Sequence, residues 1–136
     1  MKKIDLVCII DDDPMHVFIT KKYVELSGFV ESVLVCKDGK DAYDTLTCLL
    51  TNNSKLPEVI FLDLNMPIWD GWYFLDEFVK IPIQQKITIY LLTSSNNEED
   101  LIRAKKYSLS GNYLIKPLKQ HQIKDILTEL IEFESK

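Results

Sequence analysis

The sequence predicts an α/β fold: a doubly wound, five-stranded parallel sheet with helices on both faces. Three observations carry that expectation. Near-continuous apolar runs of strand length recur along the chain, as in "IDLVCII", "EVIFLD" and "ITIYLLT", and such runs suit strands covered on both faces. Between them lie segments whose apolar residues fall at helical spacing, several opened by a capping residue or a proline. Regular alternation of strand and helix calls for a parallel sheet between two helical layers.

The elements follow in order. The first strand is 4–10; "DDDP" stops it, and Pro14 suits the first turn of a helix over about 14–27 that ends at Gly28. "SVLVC" (32–36) is the second strand, and Asp38 caps a second helix with Ala42, Leu46, Leu49 and Leu50 on one face. "TNNSKLP" (51–57) is a polar loop, and "EVIFLD" (58–63) is the third strand. "NMPIWDG" forms the next loop, Asp70 caps the third helix, and Trp72, Leu75, Phe78 and Val79 give helical spacing. "ITIYLLT" (87–93) is the fourth strand. Asn97 and Asp100 have capping-box spacing for a helix running to about Ser108, with Glu98, Glu99 and Asp100 in its first turn. "YLI" (113–115) is a short fifth strand, and Ile123, Ile126, Leu127, Leu130 and Ile131 mark the last helix. Right-handed crossovers bring every strand's C-terminal end to one edge. The expected order is 2-1-3-4-5, with ligands near the C-terminal ends of strands 1 and 3.

Bulk properties narrow the function. A chain of 136 residues with 46% hydrophobic content fits one domain with one core. A net charge of -5 argues against a surface built for nucleic acid. The apolar runs fall far short of the roughly 20 residues needed to cross a bilayer, so no membrane insertion is expected. The start "MKKIDLVCIIDDD" ends its apolar run in aspartates with no cleavage site following, and reads as a first strand in a cytoplasmic protein. Cys8, Cys36 and Cys48 form no metal pattern and are read as buried thiols.

The predicted strands deliver a specific set of groups to one edge: Asp11, Asp12 and Asp13 from strand 1, Asp63 from strand 3, Thr93 from strand 4 and Lys116 from strand 5. Gathered carboxylates repel one another and resist desolvation. A hard divalent cation such as Mg2+ relieves both problems. Lys116 adds a fixed charge and Thr93 a hydroxyl donor. Metal, ammonium and hydroxyl suit the three oxygens of a phosphoryl group, whose transfer depends on electrostatic positioning. Asp63, standing singly at a central strand end, is the expected acceptor through an acyl phosphate.

The segments "IIDDDP", "FLDLNMPIWDG", "LLTSS" and "YLIKPL" resemble the receiver domain of two-component response regulators, across essentially the whole chain. The resemblance implies a flavodoxin-like (βα)5 fold and a single receiver domain over 1–136 without a separate output domain. It implies phosphorylation of Asp63 by a sensor histidine kinase or a histidine phosphotransfer protein. Mg2+, with Mn2+ able to substitute, would meet Asp12 and Asp63 directly, Asp11 mainly through water, and the Asn65 backbone carbonyl. Lys116 and Thr93 would contact the phosphoryl group, and Tyr113 would change rotamer with Thr93 as a switch. The side chains of Asn65 and Ser95 would tune phosphoryl lifetime, Ser94 would leave room for phosphate, and Lys116-Pro117 matches a bond that is usually cis. Leu118 stands where phenylalanine is common. The segment 50–57 is longer than in compact receivers, and the chain also resembles stand-alone regulators related to those paired with bacterial phytochromes. The implied output is altered binding to an unknown downstream protein, with homodimerisation open and no turnover of a small molecule.

Other residues read more simply. Asp13 is expected to cap the first helix or tune the pocket. His16 and His121 fall in helical stretches with no partner visible in the sequence and read as surface or partly buried histidines. Trp69, Trp72 and Tyr73 read as helix packing beside the acceptor loop. Two other functions compete: a small Mg2+-dependent phosphatase of the haloacid-dehalogenase type, whose D-x-D-x-T/V start "DDDPM" meets only in part, and a phosphate-independent interaction module.

Overall fold

The computed structural model describes residues 3–94 and 98–134. In chain order the elements are β1 (Ile4–Ile10), α1 (Pro14–Ser27), β2 (Val30–Cys36), α2 (Gly39–Thr51), β3 (Val59–Asp63), α3 (Gly71–Phe78), β4 (Thr88–Thr93), α4 (Glu98–Lys106), a 3-10 turn (Ser110–Asn112), β5 (Tyr113–Ile115) and α5 (Gln120–Glu134). The five strands form one parallel sheet in the order β2-β1-β3-β4-β5. All C-terminal strand ends therefore lie along one edge.

Strand alternation divides the core between two faces. Val7 and Ile9 of β1, Phe61 of β3 and Leu92 of β4 pack with Val24 of α1 and with Ile123 and Leu127 of α5. Cys8, Ile10, Ile60, Leu62 and Leu91 pack on the other face with Leu46 of α2, Leu75 and Phe78 of α3, and Ala104 of α4. Helices on both faces explain why the central strands read as unbroken apolar runs.

The caps are where the sequence places them. Asp13 accepts from the backbone N–H groups of Met15 and His16, Asp38 from Asp41, and Asp70 from Tyr73. Gly28 ends α1 at φ 77°, a left-handed conformation that glycine adopts without strain.

Several boundaries differ from the sequence expectation. β2 begins at Val30, because Val30 pairs with Ile4 at the sheet edge even though Glu31 and Ser32 are polar and exposed. α3 ends at Phe78; Val79 is its cap, with its N–H on the Leu75 carbonyl and its side chain turned to solvent. α4 stops at Lys106, and Ser108 turns the chain at φ 60°. Asn97 of the expected capping box lies outside the described residues. Cys8 and Cys36 are buried, but Cys48 is exposed. It stands two positions past the buried Leu46, about 200° around the helix and so on the outer face of α2.

Candidate functional site

Strand geometry assembles the site at the C-terminal edge. The Asp11 N–H still pairs with the Cys36 carbonyl at 3.1 Å, so the acidic turn begins under the control of the sheet. Asp11 and Asp63 are buried, with 2% and 3% of their surface exposed, while Asp12 points outward. Oxygens of Asp11, Asp12 and Asp63 lie within 4.8 Å of one another. Lys116 reaches into this group from the end of β5. Its Nζ is 3.0 Å from Asp11 Oδ2 and 3.3 Å from Asp63 Oδ2. Its backbone N–H donates to the Thr93 carbonyl at 2.7 Å, which ties β5 to the end of β4.

Asp11 is the most heavily bonded of the carboxylates. Oδ1 accepts from the Asp13 N–H at 3.0 Å and from Lys116 Nζ at 3.2 Å; Oδ2 lies 2.7 Å from His16 Nδ1. Burial alone would push its carboxyl up, but the bonds from His16, the Asp13 N–H and Lys116 outweigh burial and hold it below the usual range. Asp63 has fewer donors, with the Asn65 N–H on Oδ1 at 3.2 Å. Burial, followed by the neighbouring Asp11 charge, raises its carboxyl to about 7, against the opposing pull of Lys116. Burial works to lower the Lys116 ammonium, yet the bonds and charges of Asp11 and Asp63 hold it above its ordinary value.

Three carboxylates against one lysine leave the cluster short of positive charge. An all-oxygen donor set fits a hard divalent cation of the Mg2+ or Mn2+ type rather than a thiophilic metal. Asp12 and Asp63 each offer the cluster a carboxylate oxygen, and the exposed Asn65 is tied to it through its N–H on Asp63 Oδ1. Buried Asp11 is already committed to nitrogen donors, which suits an indirect role.

The remaining predicted residues take separate places. Thr93 is fully buried at the end of β4, and Ser94 after it is exposed. Tyr113 pairs with Leu91 and Ile115 with Thr93, so Thr93 and Tyr113 share a sheet face two positions apart. Tyr113 is half-buried against the α2–α4 side of the core. The Lys116-Pro117 bond is cis. Asp13 is exposed and caps α1 while its N–H braces Asp11. Ser95 lies outside the described residues.

One reading is corrected. His16 is buried with 5% exposure and belongs to the pocket through Asp11. The sequence did hold a signal. With Asp13 as cap and Pro14 opening the helix, His16 is its third residue, and helical side chains lean back toward the N-terminus. That direction carries the ring toward Asp11.

The aromatic residues read as packing pack as expected around the loop between β3 and α3. Trp69 meets Tyr43 at 5.2 Å and Tyr73 at 4.6 Å between ring centroids. Trp72 donates to Asp100 at 3.1 Å and stacks on Tyr107, which bonds Asp76. These contacts link α3 to α4.

Comparison with known proteins follows the same line. The response regulator receiver domain profile matches residues 7–128. The probable methanogenesis regulatory protein FilR2 of Methanothrix harundinacea is 31% identical over 129 residues, covering 94% of this chain and 82% of that protein. The crystal structure of a two-component response regulator from Cytophaga hutchinsonii superimposes with a TM-score of 0.83 at 28% identity, covering 96% of this chain and 99% of that one. The phosphorylated cyanobacterial phytochrome response regulator RcpA gives 0.74 at 26% identity, covering 98% and 94%. With its order 2-1-3-4-5 and its acidic edge, the chain belongs to the response regulator receiver domain family, a signalling module of two-component systems rather than a small-molecule enzyme.

Proposed function

We propose that the protein is a phosphorelay regulator that accepts a phosphoryl group on Asp63 from a histidine kinase or histidine phosphotransfer protein and thereby changes its binding to a downstream protein. The observation that carries this is the position of Lys116, bridging Asp11 and Asp63 inside an acidic cluster at the C-terminal edge of the sheet. An Asp63 oxygen attacks phosphorus of a phosphohistidine. The P–O bond forms as the P–N bond breaks, and the imidazole nitrogen leaves with the electron pair. Mg2+, or Mn2+ in its place, supplies positive charge for the phosphoryl oxygens when bound, with Asp12, Asp63 and the Asn65 carbonyl as its holders and Asp11 assisting through water.

The chain's own groups do the rest. Lys116 already lies 3.3 Å from Asp63, and meets one phosphoryl oxygen by a short movement away from Asp11. Thr93 offers its hydroxyl to another, and Ser94 keeps the approach open. The added charge, about -1.5 to -2 at neutral pH, gives the hydroxyl and the ammonium reason to move inward. Tyr113, on the same sheet face as Thr93, then passes the change to the surface formed by α4, β5 and α5. Asn65 and Ser95 tune how fast water removes the phosphoryl group. No helix among the described residues is long and apolar enough to cross a membrane. The haloacid-dehalogenase reading has no support in the family match.

The test is intact-mass measurement after treatment with acetyl phosphate and Mg2+. Wild type should gain one phosphoryl group, and Asp63→Asn should gain none. Equal labelling of the variant rejects the assignment.

A further inference from the structure

We infer that His16 is a positioning residue for phosphoryl acceptance: it holds the buried Asp11 carboxylate in place so that Lys116 is free to leave Asp11 for the phosphoryl group. The inference rests on Asp63 being the acceptor, and concerns a residue that touches neither metal nor phosphate.

His16 sits in the first turn of α1, three residues after the capping aspartate. Its ring is buried, and Nδ1 lies 2.7 Å from Asp11 Oδ2. A carboxylate oxygen only accepts, so Nδ1 carries the hydrogen and donates. Nε2, also buried, has no hydrogen-bond partner among the described residues. A histidine that served only to fill space would be a poor choice here. It desolvates two nitrogens and satisfies one, where leucine or methionine would desolvate none. What the imidazole offers that carbon cannot is the bond to Asp11.

That bond decides what happens to Lys116. The ammonium is shared between Asp11, at 3.0 and 3.2 Å, and Asp63, at 3.3 Å. When Lys116 turns to a phosphoryl oxygen, Asp11 loses its lysine contacts. The Asp13 N–H still serves Oδ1, but Oδ2 has only His16. Without His16 the buried Oδ2 depends on Lys116, and the ammonium is held back from the reaction. The same bond fixes the Asp11 rotamer from which water can reach a metal. His16 therefore serves the pocket as a charge-orienting support, the role that outer partners play around metal ligands.

The test compares His16→Leu, His16→Asn and His16→Gln in the full chain. Asparagine places its amide N–H near the position of Nδ1; glutamine places it near Nε2. Melting curves establish the folded fraction. Initial rates of labelling with acetyl phosphate, and Mg2+ affinity by calorimetry, are read below the melting transition. Leucine and glutamine should slow labelling and weaken Mg2+ binding by about tenfold each, with asparagine recovering to within about threefold of wild type. If leucine does not fold, the contrast between glutamine and asparagine carries the same decision. Folded leucine or glutamine variants with wild-type rate and affinity overturn the inference, as does asparagine no better than glutamine. A wild type that takes no label on Asp63 instead overturns the function proposed above, so the two failures are separable.

Discussion

At the residue scale the buried carboxyl of Asp63 is the most consequential group. Its burial and its nearness to Asp11 raise it from an ordinary value of 3.8 to about 7. The folded state therefore binds this proton more tightly than the unfolded chain does. Between about pH 4 and pH 7 the unfolded chain has given up the proton and the folded chain has not, so this group's contribution to stability falls as pH rises across that window. Above it, ionised Asp63 opposes folding of the metal-free protein. Asp63→Asn removes that opposition. Chemical denaturation should show the variant more stable than wild type by about 2–4 kcal/mol at pH 8 without metal, the advantage shrinking steadily toward pH 4. An advantage independent of pH would mean that the carboxyl is not perturbed. The positions of Asp63, Thr93 and Lys116 at the sheet edge were legible in the sequence because the first two end strands and the third directly follows one. His16 was not, because its role depends on where the first turn of a helix points a ring.

At the scale of elements, the loop from β3 to α3 shapes the surroundings of Asp63. Gly71 opens α3 directly against the backbone of Asp63 and Leu64: a Cβ there would lie 2.7 Å from the Asp63 carbonyl oxygen and 2.9 Å from Leu64 Cα. Its N–H donates to the Leu64 carbonyl at 3.0 Å, closing the loop on itself. Between these fixed points Ile68 is forced to φ 68°, with its side chain 79% exposed. A β-branched residue is strained in that region, and asparagine tolerates it far better. Ile68→Asn should therefore stabilise the fold by about 1 kcal/mol in urea denaturation, since little packing is lost. A destabilised variant would show that the exposed isoleucine makes contacts the loop relies on. The elements themselves were readable from apolar runs and caps, but their ends were not. β2 gains residues from pairing with β1, and α3 stops at Phe78 despite the apolar Val79, whose side chain the fold leaves in solvent. Pairing with β1 set the first of these limits, and local pattern carries no trace of it.

At the scale of the whole molecule, the sheet brings separate strand ends to one edge. The order β2-β1-β3-β4-β5 places Asp11, Asp63 and Thr93 on three adjacent central strands, with Lys116 following β5. That order was inferable from strand–helix alternation, and with it the shared edge. Lys116's division between two carboxylates was not inferable, because side-chain reach depends on packing behind the edge. If Thr93 and Tyr113 transmit the phosphoryl state, Thr93→Ala should still take label on Asp63. Its affinity for the downstream protein should then change less on phosphorylation than that of wild type. An equal change in both would remove Thr93 from the switch. The convergence itself is tested most directly by a crystal structure with Mg2+ and beryllofluoride, a mimic of a carboxylate-bound phosphoryl group. The expected result is an adduct on Asp63, the metal against Asp12, and both Lys116 Nζ and the Thr93 hydroxyl within hydrogen-bond distance of fluoride. An adduct on another residue, or one on Asp63 with Lys116 still held by Asp11, would contradict it.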